Sequence, residues 1–243
     1  MFPRAGNIRG NRVLASLGDD DFALVHPHLQ PAALKFRQCV EPANRRIETV
    51  YFPYTGIISI VAMTPNRQYQ SEVGLVGCDG MTGLPVLLES EPPRCNAFVQ
   101  VPGDGVSLCA DILRNLVRTS SSLRSQMLRY VHVFLLQAIH TALANAEGRI
   151  DQRLARWLLM AHDRSAGDSL RLTHDFLALM LGVRRAGVTI ALHQLESEGL
   201  ITTARGNIQI MDRMGLERSA GGFYGAPERE LNALLEIRTR PDD

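Results

Sequence analysis

Lysine is almost missing from this chain: of 26 basic residues 25 are arginine, and Lys35 is the exception. A phosphate-binding loop of the G-x-x-x-x-G-K-[ST] kind is therefore excluded, and a Schiff-base enzyme would depend on Lys35 alone. An excess of charge is missing as well, since 26 basic against 25 acidic residues leave +1 over 243 residues. That balance excludes binding to nucleic acid through bulk positive charge. Cysteine is scarce: Cys39, Cys78, Cys95 and Cys109 are 39, 17 and 14 residues apart. With no C-x-x-C pair, neither a zinc ribbon nor a clustered iron–sulfur site is supported, and buried, reduced thiols are the expectation. No metal and no cofactor is called for.

Long apolar runs are lacking too. Nothing approaches ~18 consecutive apolar residues, so no membrane span is expected. Behind Arg4, Arg9 and Arg12 the stretch Val13-Leu14-Ala15 is too short for a signal peptide, which makes the expectation a cytoplasmic chain. Nor does the chain contain G-x-S-x-G, H-E-x-x-H or an EF-hand loop, and no catalytic residue is assigned. His26-Pro27-His28 reads as loop, His132 and His140 as satisfied or surface imidazoles, and Asp19-Asp20-Asp21 as a helix start.

What is there is an ordinary globular composition, 45% hydrophobic and 21% charged, which excludes disorder as the dominant state. From about Ala33 to Leu108 the text is strand-like. Residues 47–52, 57–61, 69–76 and 97–101 are β-branched or aromatic and are punctuated by Pro53, Gly56, Gly77, Gly80 and Pro102-Gly103. Short strands with regular turn signals predict an antiparallel sandwich or roll. The period then changes. Between Ser121 and Ala146 there is neither Pro nor Gly, and two apolar stripes run at helical spacing. Leu128, Val131, Leu135, Ile139 and Ala142 form one, and Leu123, Met127, Tyr130, Phe134 and Leu143 the other. A helix with two apolar faces must bury both, one on the roll and the other most simply on a second copy of itself, giving a twofold homodimer. The alternative is a helix enclosed within one large domain. A second helix is predicted over Arg149–His162, after Gly148.

The stretch from His174 to Leu195 carries the function. Thr173 is a natural N-cap, Asp175 complements the helix dipole, and Gly182 falls where the chain must reverse. Ala178, four residues before that glycine, is small enough to admit a second helix. Leu177, Leu181, Val183, Val188 and Ala191 supply the apolar contacts of a helix-turn-helix. The second helix, expected over 184–195, holds Arg184, Arg185 and His193 and no acid before Glu196. Arginines at the start of such a helix suit bidentate pairing with guanine, and Thr189 one turn on can reach a base or phosphate. Gly187 inside the helix costs ~1 kcal/mol relative to Ala, for close approach to DNA or by mere tolerance. Residues 200–204 and 208–211 then form a hairpin wing with Arg205 at its tip, placed for a phosphate.

Roll, long helix and winged helix-turn-helix in this order resemble the Crp–Fnr family of bacterial transcription regulators, most specifically over Leu170–Ile210 and Val50–Gly56. The resemblance implies an α+β chain: an N-terminal antiparallel β-roll (double-stranded β-helix), a long dimerisation helix and a C-terminal winged helix-turn-helix. The expected divisions are an arm over 1–19, a sensor roll over 20–118, a dimerisation helix over 119–147, a DNA-binding domain over 148–216 and a tail over 217–243. It also implies double-stranded DNA as partner, a homodimer, RNA polymerase as a further partner, and no membrane. Arg185 falls at the family's base-reading arginine, whereas Ala186 and Ile190 stand where many members have a glutamate and a second arginine. A different half-site is therefore expected, with Thr173, Arg184, Arg185, Thr189, His193 and Arg205 as DNA-contacting candidates. Cyclic-nucleotide-binding relatives carry a Gly-Glu-Leu-Gly run and an Arg-Ser. Here the run is Gly80-Met81-Thr82-Gly83, without that Glu, followed by Arg94-Cys95-Asn96. These seven residues are the effector-pocket candidates, for a signal other than cyclic AMP.

Two rivals stand beside this reading. An enzyme lacks any supporting motif. A signalling or adaptor module that kept the fold without reading DNA is opposed by Arg184 and Arg185. A tail helix over Glu228–Ile237, through Leu231, Leu234, Leu235 and Ile237, either packs back or stays loose.

Overall fold

The alternation in Thr49-Val50-Tyr51-Phe52 decides the first layer, because Val50 and Phe52 are fully buried while Thr49 and Tyr51 stay half-exposed. The computed structural model describes residues 10–66 and 68–236. Arg4 and Arg9 of the N-terminal arm, and Ile237, lie outside the described residues. The chain falls into two compact units, residues 1–58 with 76–134 and 229–243, and residues 59–75 with 135–228.

The first unit opens with α1 (Arg12–Ala15) and α2 (Asp19–Val25), the latter beginning at Asp19 as its acids suggest. His26–His28 extends α2 by a 3-10 turn instead of forming a loop. Strands β1 (Gln30–Leu34), β2 (Cys39–Glu41), β3 (Thr49–Pro53), β6 (Asn96–Val101) and β7 (Gly103–Cys109) are antiparallel, in the order β1-β7-β3, with β2 on β6. Pro53 pairs with Gly105, where a Cβ would stand 2.4 Å from the Phe52 carbonyl oxygen. Helices α3 (Leu84–Leu87) and α4 (Ala110–Thr119) interrupt and close this roll, an addition that the strand-like text did not announce.

β4 (Ile57–Met63) and β5 (Gln70–Val76) lie side by side and belong mostly to the second unit. The long helix α5 (Ser121–Glu147) contributes its first half to the core of the first unit through Leu123, Met127, Tyr130 and Val133. The buried row continues through Gln137 and Ala144. This corrects the second stripe: Phe134 is half-buried and Leu143 is 47% exposed. Twenty residues beyond Leu123, a 3.6-residue period puts position 143 on the opposite side of the helix. The other stripe lies in solvent: Leu128, Leu135, Ile139 and Ala142 are exposed and Val131 is half-buried. One 18-residue window of α5 reaches a mean hydropathy of 1.2, so the helix is longer and more apolar than the absence of a membrane span assumed. Part of that apolarity is the row set into the protein core, and the rest is the exposed row Leu128, Leu135 and Ile139.

The cysteines also differ from expectation. All four are free, but Cys39 and Cys109 are exposed and Cys78 and Cys95 half-buried. Cys39 occupies the outward phase of β2, and Cys109 ends β7 where the backbone leaves the sheet.

The second unit holds α6 (Ile150–His162), β8 (Ser169–Arg171), α7 (His174–Leu181), α8 (Arg185–Ser197), β9 (Ile201–Ala204), β10 (Asn207–Ile210) and α9 (Arg213–Ser219). Its sheet has the order β8-β10-β9, so the wing is three-stranded. The tail helix α10 (Ala226–Glu236) packs back: Leu231 and Leu234 enter the core of the first unit, and Arg12 donates to Asn232 at 2.7 Å.

Candidate nucleic-acid interface

Thr173 caps α7, its hydroxyl oxygen accepting from the Phe176 amide at 3.2 Å. Gly182 ends the helix at φ +62°, a left-handed conformation in which the Val183 amide returns to the Ala178 carbonyl at 3.0 Å. Leu177, Leu181, Val188, Ala191 and Leu195 are buried between the helices, and Val183 is half-buried. The second helix starts at Arg185 and runs to Ser197, not over 184–195 as the sequence suggested. Arg184 keeps an extended backbone as its N-cap, because the turn after Gly182 needs two residues before helical hydrogen bonding begins. Glu196 and Ser197 are good enough helix formers to carry it on until Gly199, at φ +72°.

Arg184, Arg185 and His193 are exposed. Arg185 is not alone, since Asp175 at the start of α7 lies 3.5 Å from its Nε, with both side chains largely in solvent. His193 stands 3.8 Å from Glu196. Thr189 is more committed: its hydroxyl donates to the Arg185 carbonyl at 3.2 Å and pairs with His174 Nδ1 at 3.0 Å. Its proton is thus spent inside the protein. Gly187 faces α6 instead of solvent, and a Cβ there would stand 3.0 Å from Ile150 Cδ1. Arg149, Ile150, Asp151, Gly187, Ile190, Ala191, Gln194 and Glu198 line an open cavity of about 340 Å³ on that flank. At the wing tip Arg205 and Gly206 have φ of +48° and +77°, the two left-handed residues of a tight hairpin turn. A non-glycine residue is held there against its preference.

Behind this face lies a brace that sequence reasoning missed. Trp157 of α6 donates to Glu72 of β5 at 2.7 Å and meets Phe176 of α7 edge-to-face at 5.5 Å. Burial pushes the Glu72 carboxyl up to about 7, against the opposing pull of the Ser59 hydroxyl, the Trp157 N–H and the Arg156 and Arg164 charges. Arg153 donates to the Leu181 carbonyl at the end of α7, and Gln137 brackets Leu75, accepting from its amide at 2.5 Å. A side chain on Gly182 would touch Ser71 at 3.5 Å, so the β4–β5 hairpin abuts the turn itself. The one tryptophan was the available signal, but its partner is 85 residues away.

The effector candidates divide. Every amide of the turn 80–83 is already satisfied within the protein. Gly80 donates to Gly77 at 3.0 Å, Met81 to the Tyr130 hydroxyl at 2.9 Å, and Thr82 to Tyr51 at 3.0 Å. Gly83 donates to the Glu41 carboxylate. Glu41 is buried and pushed up to about 7 by that burial, while the Gly83 amide and Thr82 hydroxyl favour its charged form. Cys95 lies close enough to Glu41 for the two to interact, and burial raises its thiol. Arg94 is exposed and donates to Asn44 at 3.0 Å; Asn96 accepts from the Ala43 amide at 2.9 Å. The structure thus brings Gly80–Gly83 and Cys95 around Glu41 and leaves Arg94 with the loop before β3.

The geometry has known counterparts. Residues 152–219 match the model of the Crp-like helix-turn-helix domain. The transcriptional regulator SdrP of Thermus thermophilus is 36% identical over 81 residues, 31% of this chain and 40% of that protein. The described architecture superimposes on a proposed regulator of the crp/fnr family from Eubacterium rectale with a TM-score of 0.67, at 18% identity, covering 88% of this chain and all of the other. Residues 152–219 are a helix-turn-helix domain of the Crp-like type, and the fold is that of the solved Crp/Fnr regulators. FixK2 from Bradyrhizobium japonicum shares the fold at 17% identity and a TM-score of 0.67, covering 78% of this chain and 96% of its own. The match to SdrP spans under half of that relative's length and about a third of this chain.

Proposed function

We propose that this chain is a sequence-specific transcription regulator of the Crp/Fnr type that binds a palindromic operator as a homodimer and changes its activity in response to a signal received by the roll. The observation that carries the reading is α8: an exposed helix beginning with Arg184 and Arg185 and free of acids up to Leu195, in a capped helix-turn-helix beside a wing with Arg205 at its tip. Arginine at the start of a groove-bound helix pairs bidentately with guanine, and a wing-tip arginine meets a phosphate. The exposed row Leu128, Leu135, Ile139 and Ala142, with Val131 beside it, supports dimerisation along α5. Two recognition helices related by that axis require half-sites about one helical turn apart.

The signal is not a cyclic nucleotide held at the turn 80–83. All four amides there are spent on protein acceptors, and the run lacks the glutamate that cyclic-nucleotide-binding relatives carry. The test is duplex binding by the full-length chain. Submicromolar affinity for selected duplexes at ~50 mM salt, weakening as salt rises, is expected. No binding below micromolar, or binding indifferent to salt, favours the adaptor reading instead.

A further inference from the structure

The outward row of α8 is Ala186, Ile190, His193 and Ser197, all exposed, opposite the buried Val188, Ala191, Leu192 and Leu195. Both flanks of the helix are occupied. On one, His174 and Asp175 of α7 approach Thr189 and Arg185. On the other, Ile150 of α6 closes on Gly187. In the middle of the free row Ile190 is 71% exposed, more than any other large apolar side chain among the described residues. Intrinsic helix preference does not ask for a β-branched residue there. The acids nearest to it, Asp151 and Glu198 in the cavity on the α6 flank, are paired with Arg149 at 2.7 Å and Gln194 at 2.6 Å. An occupant that buries Ile190 must also meet two arginines one to two turns earlier, which points to a polyanion with an apolar feature. The major groove of DNA has one, the thymine C5 methyl group.

We propose that Ile190, with Ala186 one turn before it, reads thymine methyl groups in the operator half-site. The proposal rests on the reading that α8 enters the groove, and it deepens that reading: specificity comes from Arg185 on one shoulder and an apolar contact on the adjoining face.

The experiment selects duplexes from a random-sequence pool with the full-length chain. Each thymine of the recovered site is then replaced by uracil, which lacks only the methyl group. One position per half-site is expected to weaken wild-type binding about fourfold on replacement, the equivalent of ~0.8 kcal/mol for one buried methyl group. Ile190→Ala is expected to bind the thymine duplex as weakly as wild type binds the uracil duplex, and to be indifferent to the replacement. Its thermal midpoint serves as the control for folding. Wild type equally tight on thymine and uracil overturns the assignment, and leaves Ile190 facing a protein partner if Ile190→Ala also keeps full DNA affinity. A uracil penalty that persists undiminished in Ile190→Ala overturns it as well. Failure of any sequence to be enriched strikes the DNA-reading proposal itself, a result distinct from the other two.

Discussion

Arg185 and Asp175 form an exposed pair at 3.5 Å, and such pairs contribute only ~0–1 kcal/mol, so Arg185 is free to exchange its carboxylate for a base edge. Arg185→Ala is expected to lower affinity for the preferred duplex by ~1–3 kcal/mol and to relax selection at one base pair; competition binding against single-base variants measures both. Uniform weakening on all sequences would make it a phosphate contact. Arg205 carries an opposite pair of consequences, because it sits at φ +48° in the wing turn. Arg205→Gly is expected to stabilise the protein by ~1 kcal/mol in urea melts while reducing the salt slope of DNA binding by about one per protomer. Gly187 answers to packing instead of DNA. The neighbour its Cβ would press is the end of the half-buried Ile150 side chain, which can turn away. Gly187→Ala should therefore raise stability by ~0.5–1 kcal/mol and leave sequence preference as it was.

Two elements behave as units. Along α5 the apolar row in solvent lets the dimer be tested without harming the fold: Leu135→Glu with Ile139→Glu changes residues that are 54% and 50% exposed. Sedimentation at micromolar concentration should show a monomer for the double variant and a dimer for the wild type; a wild-type monomer would sink the dimer proposal. The contact of β5 with α6 centres on Glu72, whose carboxyl burial raises from 4.5 to about 7. A raised folded-state value means that the native protein holds the proton more tightly than the unfolded chain. The stabilising contribution is full below about pH 4.5 and is lost as pH climbs through 7. Glu72→Gln keeps an acceptor for the Trp157 N–H and removes the titration. Relative to wild type, the variant should gain stability from about pH 4.5 to 7 and level off above 7 in denaturant titrations. A difference that does not change with pH would mean that Glu72 is not protonated in the native state.

For the whole molecule, near-neutrality is a statement about DNA affinity. Residues 148–218 contain 10 arginines and 8 acids, a difference of +2. Under the proposed function, non-specific binding is therefore expected to be weak, and discrimination to fall on few contacts and on dimer geometry. Even if Arg184, Arg185 and Arg205 of two protomers all met phosphates, the expected slope of log affinity against log salt would be no steeper than about −5. The tail adds a second consequence of scale, since α10 sets Leu231 and Leu234 into the core of the first unit although it follows the helix-turn-helix domain in sequence.

How much of this was legible depends on the reach of each signal. The helix-turn-helix was readable because its determinants are local: the Thr173 cap, the left-handed Gly182 and the apolar spacing of α7 and α8 all lie within about two dozen residues. The wing was readable for the same reason, as was the existence of α5; its row through Leu128, Leu135 and Ile139, expected to be covered by a second copy, is exposed in the single chain. Where the pattern had to be extended over many turns, as at Leu143, phase drift misplaced the residue. By itself the sequence determined the order of roll, long helix and winged helix-turn-helix, and the arginines that open α8. Only the tertiary structure decided that Gly187 faces Ile150, that Glu72 meets Trp157 85 residues on, and that Glu41 and Tyr130 close the 80–83 turn from 42 and 49 residues away. Caps and periodicities are written in neighbouring residues, whereas a buried carboxylate acquires its partner and its proton affinity only when distant segments exclude water together.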